Sequence, residues 1–154
     1  MDTVGAMSDY RLVPHLPELS DYRRLRAESG LTPVSEEQGA PALANAWAGA
    51  HIVHEPGGEV VAMGRVIGDG GWYFHIVDMA TLPDHQRRGL GDRVLTWLVD
   101  TIVAAAPEGP YITLMADPTG RRLYEKHGFG TTASTGMVLL SARGVSGSGA
   151  DRPS

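Results

Sequence analysis

The stretch Leu82–Asp100, LPDHQRRGLGDRVLTWLVD, decides the fold. Ahead of it, WYFHIVDMATL (Trp72–Leu82) is rich in β-branched and aromatic residues and reads as a strand. Behind it, Val94, Leu95, Leu98, Val99, Ile102 and Val103 recur at helical spacing as one apolar stripe, stopped by Pro107. Between the two lie Arg87, Arg88, Gly89 and Gly91. A strand end, a glycine-bearing turn and a helix N-terminus bring unpaired N–H groups and the positive end of a helix dipole to one spot, which suits a phosphate. Two glycines fit because a backbone wrapping an anion needs positive φ angles or room where a Cβ would intrude. The competing reading is a solvated basic turn before an ordinary helix. The run lacks G-x-x-x-x-G-K-[ST] and the third glycine of G-x-G-x-x-G, which argues against a P-loop ATPase and a dinucleotide dehydrogenase.

Working outward, YITLMA (Tyr111–Ala116) reads as a second strand, and strand, helix, strand at this length builds a right-handed parallel crossover. DPTGRRLYEKHG then predicts a short helix with Asp117 as N-cap, Pro118 at its first position, and Lys126 and His127 before Gly128. Phe129–Leu140 supply the last one or two strands. Upstream, HIVHE, EVVAMGRVI and WYFHIVDMATL are joined by Pro56-Gly57-Gly58 and Gly68-Asp69-Gly70-Gly71 turns and read as an antiparallel meander. In its third strand Trp72, Phe74, Ile76, Asp78 and Ala80 share one face and Tyr73, His75, Val77, Met79 and Thr81 the other, unless a bulge intervenes, which would swap the faces beyond it. Tyr10–Val13 is a short first strand. Leu19, Tyr22 and Leu25 or Arg26 mark a first helix stopped at Gly30, and a Ser35/Gln38 capping box opens a second through Leu43 and Trp47, weakened by Gly39 and Pro41.

The 154 residues suffice for one domain, read here as 9–143 between a flexible leader, 1–8, and a disordered small-polar tail, 144–154. A net charge of -5 argues against general affinity for nucleic acid or acidic membranes. No apolar run is long enough to span a bilayer, and without a signal-peptide pattern the expected location is cytoplasmic. Zero cysteines remove thiolate ligands and nucleophiles, leaving His, Asp, Glu, Ser and Tyr for the chemistry. His51 and His54, three apart on a strand, face opposite ways, so no metal site is expected.

QRRGLG, Gln86–Gly91, resembles the [QR]-x-x-G-x-[GA] pyrophosphate loop of the GNAT superfamily of N-acetyltransferases, and LYEKHGF, Leu123–Phe129, resembles that family's L-Y-E-K-x-G-F segment. Both occur in order, with a helix and a strand between, over about Val60 to Leu140. The resemblance implies an α/β (α+β) GNAT fold: a mixed, mostly antiparallel sheet of six or seven strands, about four flanking helices, and a splayed parallel strand pair at the cofactor. It implies acetyl-CoA as cofactor, with coenzyme A as product. The pyrophosphate would sit on the amides of about Arg87 to Asp92, through Gly89, Leu90 and Gly91, bordered by Gln86, Arg87 and Arg88. The pantetheine arm would pair with the main chain of Met79, Ala80 and Thr81. Asp117 stands where the family often has Asn, and Gly120 where it often has Ala. Final strands in the family often build homodimers, so a homodimer is the expected assembly.

Acetyl transfer to an amine needs a neutral nucleophile, a group opposite the developing oxyanion, and a proton for the leaving thiolate. Tyr124 stands at the family's general-acid position. Asp78 and His75 are the candidate bases, with a hydrogen-bonded strand carboxylate and a satisfied histidine as the competing readings. Leu25, Leu31, Trp72 and Tyr73 are candidate walls of an acceptor pocket, although each aromatic alone reads as core. The expected activity is N-acetylation of a small-molecule primary amine. The alternatives are a peptide or protein amine, and a CoA-binding sensor without turnover.

Overall fold

In the computed structural model, which describes residues 9–143, the chain runs β1 (Tyr10–Val13), α1 (Leu19–Glu28), α2 (Glu36–Ala44), β2 (Ala48–His54), β3 (Glu59–Gly68), β4 (Tyr73–Thr81), α3 (Leu90–Ala105), β5 (Tyr111–Leu114) and α4 (Arg121–Lys126). The expected leader 1–8 and tail 144–154 lie outside the described residues.

The strands form one sheet in chain order, antiparallel throughout except for the parallel β4–β5 pair. α3 packs across β2, β3 and β4, and α1 across β3 and β4. They cover opposite faces. A Cβ on Gly64 would run into Val94 and Leu98 of α3, whereas the next residue, Arg65, reaches the Ala42 carbonyl of α2. Leu90, Val94, Leu95, Leu98 and Ile102 bury α3's inner face, each contributing about 1.5–3 kcal/mol. Val103, expected in that stripe, is exposed at 59% because it lies a residue round the helix from Ile102.

The capping box forms as read: Ser35 Oγ accepts from the Gln38 amide and Gln38 Oε1 accepts from the Ser35 amide. α1 ends where Gly30 takes a φ of +88°. Two expectations are corrected. The sheet has five strands among the described residues, not six or seven, because Phe129–Leu139 form no strand. Strand propensity expresses itself on a half-buried pleated surface, and Met137, Leu139 and Leu140 lie exposed, on no such surface. α4 starts at Arg121 with Gly120 as N-cap; the Gly120 amide bonds the Asp117 backbone carbonyl at 2.9 Å in a preceding turn, and no side chain caps the helix.

Candidate active site

The loop between β4 and α3 is built almost entirely from backbone. A short 3-10 turn, Pro83–His85, ends at Gln86, whose side chain donates to the Thr81 carbonyl at 3.1 Å and folds the loop back on β4. Arg87 (φ +61°) and Gly89 (φ +75°) are both left-handed, and Gly89 is the N-cap of α3. The first helical bond runs from Arg93 N–H to the Gly89 carbonyl at 3.1 Å, so the amides of Leu90, Gly91 and Asp92 have no acceptor in the helix. Left-handed residues next to free first-turn amides form a concave nest for an anion.

The two glycines serve different ends. A Cβ on Gly89 would meet nothing within 4 Å, so its need is conformational; a Cβ on Gly91 would sit 3.2 Å from Leu123 Cδ2, so its need is room for α4. The arginines also divide. Arg88 turns inward, its Nη1 donating to Tyr10 Oη at 3.0 Å and its Nη2 to the Asp84 carbonyl at 3.2 Å, while Arg87 is exposed.

β4 and β5 pair only from Tyr73–Tyr111 to Ile76–Leu114, after which β4 continues alone on that side to Thr81. The pair splays at this point, leaving the outer main-chain edge of Val77–Thr81 without a strand partner. A bulge accompanies the opening: Arg65 faces Val77 and Met63 faces Ala80, so β4 carries an extra residue at Asp78, which has φ +58°. Beyond it the faces swap. Met79 joins Phe74 and Ile76 on the α3 face, beside Gly64, and Asp78 points the other way into α1.

Asp78 is held on both carboxylate oxygens. Tyr22 Oη and Arg65 Nε donate to Oδ2 at 2.6 and 2.7 Å, and Arg26 Nη1 donates to Oδ1. Burial, and then Asp78 itself, raise the Tyr22 phenol above its usual range. The bonds fix a residue in a conformation that costs most side chains about 1 kcal/mol or more.

α4 lies against the start of α3. Leu123 fills the space left by Gly91, and His127 Nε2 donates to Asp92 Oδ1 at 2.7 Å with Lys126 Nζ at 3.4 Å. The first-turn carboxylate of Asp92 is therefore a clamp on α4. Its pKa is lowered, chiefly by the His127 hydrogen bond. Tyr124 is half-buried beside Phe129, and burial followed by the charge of Asp117 raises its phenol, so it carries its proton at neutral pH. Its hydroxyl bonds no protein group among the described residues. Gly120 gives the ring its place, since a Cβ there would lie 3.2 Å from Tyr124 Cε2.

A family model described as acetyltransferase (GNAT) domain matches residues 47–131, spanning the meander, the loop and α4. A probable acetyltransferase from meticillin-resistant Staphylococcus aureus superposes with a TM-score of 0.79 at 32% identity, over 84% of this chain and 98% of that one. The chain belongs to the GNAT acetyltransferase family. Glucosamine-6-phosphate N-acetyltransferase from Arabidopsis thaliana shares the fold at 19% identity (TM-score 0.64, 85% of this chain and 98% of that one). So does the ribosomal-protein-S18-alanine N-acetyltransferase of Escherichia coli at 18% (TM-score 0.66, 80% and 79%). A comparison with curated proteins finds no match. GNAT proteins use acetyl-CoA, and the nest and the open β4 edge offer what its pyrophosphate and amide-bearing arm require: free N–H groups and an unpaired strand edge.

Within this GNAT frame His75 pairs with Thr113 one residue before the last β4–β5 pair, its Nδ1 2.7 Å from Thr113 Oγ1. Thr113 Oγ1 also lies 3.4 Å from the Phe74 carbonyl; with the hydroxyl proton on that carbonyl, His75 Nδ1 donates to Thr113 and Nε2 keeps the lone pair. Burial lowers the His75 pKa. Of the expected pocket walls, Leu25 is fully buried in the core, because it lies on α1's inner face with Tyr22, and cannot touch an acceptor. Trp72 stacks on Tyr111 and Tyr73 meets the same ring edge-on, at the far end of β4, about 16 Å of strand away from Asp78. Leu31 is half-buried behind α1. No motif in the sequence marks Tyr22, Arg26 and Arg65, which the structure gathers around Asp78. Arg65 alone had a signal: a cation inside the apolar run EVVAMGRVI requires a buried partner.

Proposed function

We propose that the protein transfers the acetyl group of acetyl-CoA to the primary amine of a small molecule, both bound at once. The observation that carries this is the splay of β4 from β5 immediately before the backbone nest at α3, with Tyr124 on the helix packed against that nest. Acetyl-CoA supplies a thioester carbonyl for the amine to attack. Gln86, Arg87 and the amides through Asp92 hold its pyrophosphate, and the main chain of Met79, Ala80 and Thr81 aligns its arm.

Tyr124 donates a proton to the departing sulfur; a phenol held above its usual pKa has that proton available. His75 takes at Nε2 the proton that the acceptor nitrogen gives up so that a neutral amine attacks the thioester, its lowered pKa keeping the imidazole neutral at physiological pH. Asp78 fits a base less well, since both of its oxygens already accept from cations or a phenol. Its part is to fix the bulge. Asp117, outside any cap, acts on Tyr124 through its charge alone.

The fold does not select the acceptor: the two enzymes named above bear a sugar phosphate and a protein alanine in their names. A small amine is the acceptor proposed here, and a peptide or protein amine is the alternative the same fold accommodates. Transfer of label from acetyl-CoA to a panel of free amines tests the reading. Transfer to a small amine, cut by Tyr124→Phe with cofactor affinity kept, is expected; acetylation of peptides alone, or coenzyme A binding without turnover, would replace it.

A further inference from the structure

We propose that the acceptor carries an anionic group besides its amine, a carboxylate or a phosphate, and that Arg26 and Arg65 receive it. This rests on the acetyl-transfer reading and names the substrate class for it. Arg26 comes from α1 and Arg65 from β3, and they meet over Asp78 at the bulge, two residues beyond the last β4–β5 pair. Their side chains are 13% and 12% exposed, and that of Asp78 is 7% exposed. Two guanidinium ions thus share one carboxylate in a largely desolvated place.

The other acids around α1 pair with other arginines, Asp21, Glu28 and Glu59 sharing Arg24 and Glu36 with Arg23, and none reaches Arg26 or Arg65. Tyr22 adds no charge, its phenol being held above its usual range. The cluster therefore keeps a surplus positive charge where charge is costly to leave unmatched. Each guanidinium spends Nε and Nη1: Arg26 on the Thr32 carbonyl and Asp78, Arg65 on Asp78 and the Ala42 carbonyl. The Nη2 of each has no protein acceptor among the described residues, and neither is sealed from solvent. Two guanidinium groups fixed by four bonds, each with one N–H-bearing nitrogen left without a protein acceptor, are suited to receive an oxyanion. An amine tethered to that anion would stand near the splayed strands.

The test is transfer from labelled acetyl-CoA to matched amines that differ in the anion: alanine against alaninamide, and glucosamine 6-phosphate against glucosamine. At least a tenfold higher kcat/KM is expected for the anionic member of the pair that is used, and which pair responds distinguishes carboxylate from phosphate. The gain should vanish in Arg65→Gln and survive in part in Arg65→Lys. Neutral members acetylated as well as anionic ones would overturn the proposal and leave acetyl transfer standing. Failure of every amine would count against acetyl transfer, and the receptor is then judged by inorganic phosphate. Phosphate should raise the Tm of wild type and Arg65→Lys more than that of Arg65→Gln; equal shifts in all three would overturn it.

Discussion

The loop at Gln86–Asp92 and the cluster at Asp78 lie one strand-end apart and are made in opposite ways. The loop is contiguous, the groups it offers an anion are main-chain amides, and the side chains around it mostly anchor it: Arg88 to Tyr10, Asp92 to His127. The cluster draws Tyr22, Arg26, Arg65 and Asp78 from three elements and is made of side chains bonded to one another. The difference teaches where specificity can change. Under the proposed function, a backbone cradle would serve one cofactor whatever the side chains around it, whereas a side-chain cluster could be rewritten for a new acceptor without touching the cradle.

Truncation should therefore hurt the two regions differently. Asp78→Ala leaves two buried guanidinium ions without their carboxylate and should cost about 3–5 kcal/mol, a fall in Tm of roughly 10 °C by calorimetry. A shift under 2 °C would mean that the cluster is loosely built. In the loop, Gly89→Val forces a β-branched residue into φ +75°. It should weaken acetyl-CoA binding at least tenfold while lowering stability by only about 1–2 kcal/mol. Equal loss of stability at both positions would erase the contrast.

Between the regions, Tyr124→Phe should lower kcat by about 10²–10⁴ with acetyl-CoA affinity changed less than about threefold, measured by steady-state kinetics and titration. A pH profile separates the two base candidates. His75 has its pKa lowered by burial, so the neutral, active form persists below pH 6.5. Activity should hold at pH 6.5, fall as pH drops through the lower folded value, and lose that limb in His75→Gln; a limb that persists would point to another group. The smallest effect belongs to the clamp. Asp92→Asn should cost no more than about 1 kcal/mol, because the pair is partly exposed. Its lowered pKa means the contribution is present above the unfolded value and vanishes as pH falls through the folded one, so mutant and wild type should converge in acid.

The same contrast explains what could be read from the chain. The loop, α3, the meander and the capping box rest on local spacing and turn chemistry, and QRRGLG sits where it was expected. The bulge at Asp78 could not be placed, because an extra residue leaves the run WYFHIVDMATL looking like any regular strand and shows only in its register with β3. The Arg26–Asp78–Arg65 convergence is long-range and has no local pattern. Asp117-Pro118 misled because a cap and a turn have the same residue preferences; here Gly120 closes a turn first. The final strand failed for want of a surface to pack on.

Calorimetric titration of the full chain with acetyl-CoA, beside ATP as a control for phosphate charge alone, tests the central claim most directly. Micromolar binding of acetyl-CoA, much tighter than ATP, is what a nest at α3 continued by an open β4 edge predicts. No heat from acetyl-CoA in a folded sample, or equal affinity for ATP, would contradict it.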